Sequence, residues 1–90
     1  MLKIAFTNQY LKDLELMKRR NFPKCELDEV VKILSKGGSL LPKHKDHPLK
    51  GNFKGYRECH IRPDWLLIYK IDKQILTLVL VRTGTHSDLF

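Results

Sequence analysis

The chain carries four histidines, His44, His47, His60 and His86, and none falls in its helix-like stretches. Imidazole ordinarily titrates near neutrality, so a pair of histidines can supply both the base and the acid of a proton-transfer reaction. His44 and His47 lie in a lysine-rich stretch, His60 just precedes an Arg62-Pro63-Asp64 turn, and His86 follows the last apolar run. Side chains alternate between faces in an extended segment, which sets Tyr56, Glu58 and His60 on one side and Arg57, Cys59 and Ile61 on the other. His60 and Asp64 then flank one turn and could share a site. Taken singly, each residue has a plainer reading: a solvated histidine, a turn aspartate, a core tryptophan (Trp65), or strand arginines (Arg57, Arg82) pairing with acids.

Of the chemistries that could unite these residues, metal binding and nucleophilic catalysis fit poorly. No two histidines show the short spacing of a zinc ligand set, and Cys25 and Cys59 form no CxxC, so neither metal nor cofactor is expected. No nucleophile elbow is present. Acid–base cleavage of RNA fits better. Attack of a ribose 2′-OH on its own phosphate needs a base, an acid and positive charge near the phosphate. Histidine suits the first two roles and arginine the third, while an aromatic such as Trp65 or Phe90 can stack on a base.

Composition points the same way. The 90 residues hold 17 Lys and Arg against 10 Asp and Glu, a net charge of +7 that attracts polyanions, nucleic acid above all. No helix pairs a basic face with an exposed aromatic one, which argues against a membrane surface. The longest apolar run, 75–81, is interrupted by Thr77 and falls far short of the roughly 20 residues that span a bilayer. The opening Met1-Leu-Lys-Ile-Ala-Phe is too short and too soon polar for a signal peptide, so a cytoplasmic protein with reduced thiols is expected. Its length suits one domain, 1–90.

The positioning elements follow from periodicity. Residues 2–7 read as a short strand, and Thr7 or Asn8 caps a helix whose stripe is Tyr10, Leu14 and Met17. Pro23 breaks it. A second helix runs over 24–36 on Leu27, Val30, Val31 and Leu34, and Gly37-Gly38 ends it. Residues 39–55, rich in Lys, Pro and Gly, read as a loop long enough to be functional. Strands are predicted at 56–61, 65–71 and 74–82, with a short tail at 86–90. The long strands are apolar on both faces, which places them inside a sheet. The order β-α-α-β-β-β predicts an α+β fold, with a helical hairpin on one face of a small, mainly antiparallel sheet.

The strings His47-Pro-Leu-Lys-Gly51, Gly55-Tyr-Arg-Glu-Cys-His60-Ile, Pro63-Asp-Trp-Leu-Leu-Ile-Tyr69 and Arg82-Thr-Gly-Thr-His-Ser-Asp-Leu-Phe90 occur in that order. Together they resemble the YafQ branch of the RelE/ParE toxin superfamily, and they cover the second half almost continuously. The resemblance implies a type II toxin that enters the ribosomal A site and cuts messenger RNA there without a metal. It also implies a cognate antitoxin that neutralises the toxin. By motif, His47 and His60 would face the scissile region, Asp64 would be the general base and His86 the general acid. Arg82 would stabilise phosphate charge, and Trp65 and Phe90 would shape the site or stack on a base. His44 has no counterpart and reads as a solvated loop histidine.

An unperturbed aspartate, with pKa about 3.9, needs desolvation to act as a base at neutral pH, whereas His60 or His47 would need less tuning. A ParE-like inhibitor of DNA gyrase is the alternative from another class, and it has no need of the histidines. A non-catalytic RNA-binding module is a third reading. Lys43, Lys45, Lys50, Lys54 and Arg62 would line the ribosomal RNA surface, with affinity falling steeply in salt. The antitoxin would present an acidic or amphipathic segment that folds on binding.

Overall fold

The computed structural model describes residues 1–90. Strand β1 spans Lys3–Phe6, helix α1 Asn8–Arg19 and helix α2 Lys24–Ser35. A two-residue strand β2, His47–Pro48, lies between single 3-10 turns at Pro42–His44 and Gly51–Phe53. Strands β3 (Arg57–Arg62), β4 (Trp65–Asp72) and β5 (Thr77–Gly84) follow, and a short helix α3, His86–Leu89, closes the chain. The sheet order is β1-β5-β4-β3-β2, with β1 parallel to β5 and every other pair antiparallel. The class is α+β, with the long strands β4 and β5 inside the sheet as their two-sided apolarity requires.

The helices form as their caps and stripes dictate. The Thr7 hydroxyl accepts the Tyr10 N–H at 3.0 Å, satisfying a free donor of the first turn. Helix α1 buries Tyr10, Asp13 and Met17; helix α2 buries Leu27, Val30, Val31 and Leu34. Both cover one face of the sheet, meeting Cys59, Trp65, Leu67, Tyr69, Leu78 and Leu80. Leu66 and Ile68 point to the opposite face, where Leu89 of α3 joins them and Leu49, Phe53, Tyr56 and Val81 pack around. That second face is the open one, and it carries the candidate site.

Three expectations are corrected. The 39–55 stretch is not all loop, because His47 and Pro48 pair with Glu58 and Arg57. Pro48 has no N–H to continue a ladder, which keeps β2 short and at the edge. Strand β5 begins at Thr77 rather than 74. The Asp72 carboxylate accepts the N–H groups of Gln74 and Ile75, and Leu76 adopts φ +50°, so Ile75 and Leu76 lie exposed in a wide turn. The tail is a helix, because Thr85 and Asp88 cap its start reciprocally, hydroxyl to N–H and carboxylate to N–H. Gly84 permits this turn: a Cβ there would lie 3.0 Å from Asp88 Cβ.

Candidate active site

Two groups of side chains meet on the open face. The first comes from the β2–β3 pairing, which sets His47 opposite Glu58, while His60 follows Glu58 on the same side of β3. The Nε2 atoms of His47 and His60 each lie 3.4 Å from Glu58 Oε1. Their Nδ1 atoms lie 3.1 Å from the Pro48 carbonyl and 3.2 Å from the Pro63 carbonyl. A carbonyl only accepts, so Nδ1 carries the hydrogen in both rings, and each Nε2 faces the carboxylate with a lone pair in the neutral ring or a second N–H in the protonated one. Glu58 is 6% exposed. Two lone pairs and a buried anion repel one another unless a proton or a cation lies between them. The three ligand atoms lie within 4.8 Å of one another, a grouping that sequence spacing did not show. The sequence pattern does not single out Glu58 as a candidate; its position two residues before His60 is the available signal.

The second group is Asp64 with His86. Asp64 Oδ1 accepts the His86 backbone N–H at 3.0 Å and the ring Nδ1–H at 2.6 Å. These bonds, the backbone one first, hold the Asp64 carboxyl below the usual carboxylate range. That direction is the reverse of what a general base requires. The carboxylate instead fixes the ring's tautomer and orientation and leaves Nε2 free. The His60 and His86 rings stand 5.7 Å apart, tilted by 59°, so the two groups adjoin. Arg20 at the end of α1 steadies α3 by donating to both Asp88 carboxylate oxygens, at 2.7 and 3.3 Å. Chiefly through Arg20, Asp88 is held down to about 2.

A family model of bacterial type II toxin–antitoxin toxins, YafQ, matches residues 2–90. The chain belongs to the YafQ toxin family. It is 42% identical over 88 residues to the mRNA interferase toxin YafQ of Escherichia coli strain K12, covering 97% of this chain and 94% of that one. A metal-bound toxin from Helicobacter pylori superposes with a TM-score of 0.95 at 49% identity, over 100% of both chains. YafQ in the Escherichia coli DinJ–YafQ toxin–antitoxin complex gives a TM-score of 0.89 at 39% identity, over 100% of this chain and 99% of that one.

The other residues singled out in this YafQ family member are scattered more widely. Arg82 donates Nε and Nη2 to the two oxygens of Asp13, both at 3.0 Å, leaving Nη1 uncommitted. Arg62 grips Glu26 of α2 at 2.9 and 2.6 Å, toward the face that the helices cover. Trp65 is 0% exposed, edge-on to Phe22, and its indole N–H donates to Thr83 Oγ1 at 2.9 Å. It supports the strand from the core and offers no face to a base. Phe90 is exposed and packs edge-on against Phe53. Lys50 and Lys54 are exposed on either side of the Phe53 turn. Lys43 and Lys45 are exposed beside His44, which is buried rather than solvated, with an Nδ1 that has no partner.

Proposed function

We propose that this toxin is an endoribonuclease that cuts messenger RNA by acid–base catalysis between His60 and His86. The observation that carries this reading is the placing of two imidazoles 5.7 Å apart on an open basic surface, one pinned by Asp64. One phosphate can span that gap. His60 takes the proton from the ribose 2′-OH as its oxygen attacks phosphorus, and the nearby Glu58 carboxylate offsets the charge gained. His86, protonated, delivers a proton from Nε2 to the 5′ oxygen as the P–O5′ bond breaks. The products are a cyclic phosphate and a free 5′-OH. Asp64 orients His86, so the base role passes from Asp64 to the β3 cluster. Lys50, Lys54 and the free Nη1 of Arg82 meet the phosphates.

The metal-bound relative makes a second occupant of the β3 cluster relevant. His47, Glu58 and His60 fit a divalent ion, since both rings donate Nδ1–H to a carbonyl, as ligating histidines do. A bound ion would supply Lewis acidity there. These residues either hold an ion or hold the proton of the base step, and not both.

The basic surface suits messenger RNA presented in the ribosomal A site, an action in the cytoplasm. By likeness to the DinJ–YafQ complex, a cognate antitoxin neutralises it. Purified protein added to a translation reaction, with cut sites mapped by primer extension, tests the reading. Cuts within codons that vanish with His86→Ala are expected. Cutting by His86→Ala at the wild-type rate would remove His86 from the mechanism.

A further inference from the structure

Beside the histidines, the open face carries a row of aromatic rings. Phe90 stands 5.8 Å from Phe53 between ring centroids, and Phe53 stands 6.3 Å from Tyr56, both pairs edge to face. The row is tied to the reacting groups at one end, because the Phe90 N–H donates to the His86 carbonyl at 2.8 Å. Lysines interrupt it. Lys50 and Lys54 bracket the Phe53 turn, and Lys70 Nζ lies 5.6 Å from the Tyr56 ring centroid. Below, Leu66, Ile68 and Leu89 anchor the rings, while Phe53 and Tyr56 stay only half-buried. The backbone sets the two rings in advance: Tyr56 N–H donates to the Phe53 carbonyl at 3.0 Å, and Leu49 N–H to the Tyr56 carbonyl at 2.9 Å.

We infer that Phe53 and Tyr56, with Lys70 over the Tyr56 ring, form a subsite for an unpaired base of the RNA strand one step along from Phe90. Single-stranded RNA alternates flat bases with anionic phosphates, and aromatic rings interleaved with cations match that alternation. The rings are preorganised, so little ordering cost falls on binding. The lysines argue against an apolar peptide as occupant, since such a peptide would have to desolvate them unpaired. Phe53 also braces Phe90 and thereby the far end of α3. The inference rests on the ribonuclease reading, which supplies the strand.

The probe is a fluorescein-labelled, unstructured 2′-O-methyl oligonucleotide, which cannot be cut because its 2′ oxygen has no proton to lose. Anisotropy titration with Tyr56→Leu and Phe53→Leu should show affinity falling about tenfold, while Tyr56→Phe keeps it. Lys70→Gln should flatten the logarithmic salt dependence by about 0.7, one phosphate contact on a single strand. A single abasic nucleotide walked along the probe should weaken wild-type binding at one position and leave Tyr56→Leu unaffected there. Leucine variants with unchanged melting temperature that bind as wild type would overturn the subsite. So would an abasic penalty identical in wild type and variants at every position. The wild-type translation assay separates the two readings: loss of cutting with the ring effects intact sinks only the nuclease.

Discussion

The Asp13→Asn substitution probes a buried polar anchor of the fold and the role of Arg82 together. Strand β1 pairs only with Thr77–Leu80, so beyond Leu80 the outer edge of β5 has no strand beside it. Helix α1 covers that edge instead, and Asp13 accepts the Thr83 N–H at 3.2 Å along with the two bonds from Arg82 and one from Gln9 at 3.1 Å. The Asp13 side chain is 8% exposed and that of Arg82 28%. Asparagine keeps the shape but turns one oxygen into a donor facing the guanidinium, and it strips Arg82 of its counter-charge. Breaking a fully buried pair costs about 3–5 kcal/mol and an exposed one about 0–1 kcal/mol. Partial exposure of Arg82 puts this pair between them, at about 2–3 kcal/mol. At roughly 4–8 °C per kcal/mol for a domain of this size, Tm should fall by about 10–20 °C. Thermal unfolding followed by circular dichroism measures it. The double variant Asp13→Asn, Arg82→Met should recover at least half of the loss, since no charge is then stranded and the asparagine Oδ1 still accepts the Thr83 N–H. A Tm for Asp13→Asn within about 2 °C of wild type would refute the reasoning. The single variants Arg82→Met and Asp13→Asn sort out Arg82 in catalysis. Cleavage well below both melting points should fall about 100-fold further in Arg82→Met than in Asp13→Asn if Nη1 reaches a phosphate, and equally in both if Arg82 is only a strut.

Asp64→Asn should cut the cleavage rate by about ten- to a hundredfold with little change in Tm, because it frees the His86 ring rather than the fold; nitrogen NMR of His86 should report a mixture of tautomers, and an unchanged single tautomer would contradict the orienting role. Acid titration tests the Arg20–Asp88 contact. A carboxylate held at about 2 in the folded state and near 3.8 unfolded contributes stability that is complete above about pH 4 and lost as pH falls through 2. Arg20→Gln should therefore lower Tm most above about pH 4 and converge on the wild type as pH falls through 2, and Tm profiles that coincide at every pH would count against the contact. Calorimetric titration with zinc or copper should lose its binding step in His47→Ala and Glu58→Gln and keep it in His86→Ala. Loss in His86→Ala alone would place the ion elsewhere.

The elements were readable from the sequence wherever local physics decided them. The Thr7 cap, the stripes of α1 and α2 and the turn at 62–64 depend on spacing alone, and so does the alternation that put Glu58 and His60 on one face. The motif order carried the family for the same reason, since linear order is a property of the chain. Failures came where distant segments had to meet. The pairing of His47 with Glu58 depends on β2 adding to the sheet edge, which no periodicity in 39–55 announces, and Glu58 therefore passed unnoticed as a possible ligand or proton partner. His44 looked solvated because burial of a loop residue depends on what packs over it. Trp65 was open to a role against a base until its neighbours Phe22 and Thr83 enclosed it. The α3 cap, Thr85 to Asp88, was legible and was missed. Its work on His86 was not, because Arg20 lies 68 residues away from Asp88. The sequence alone thus determined which side chains were available, the helices and strands that carry them, and the family. Tertiary structure decided which atoms face one another: Asp64 accepting from the backbone and ring of His86, and Glu58 between two histidines. Those distances arise from sheet register and helix docking, which only the folded chain sets.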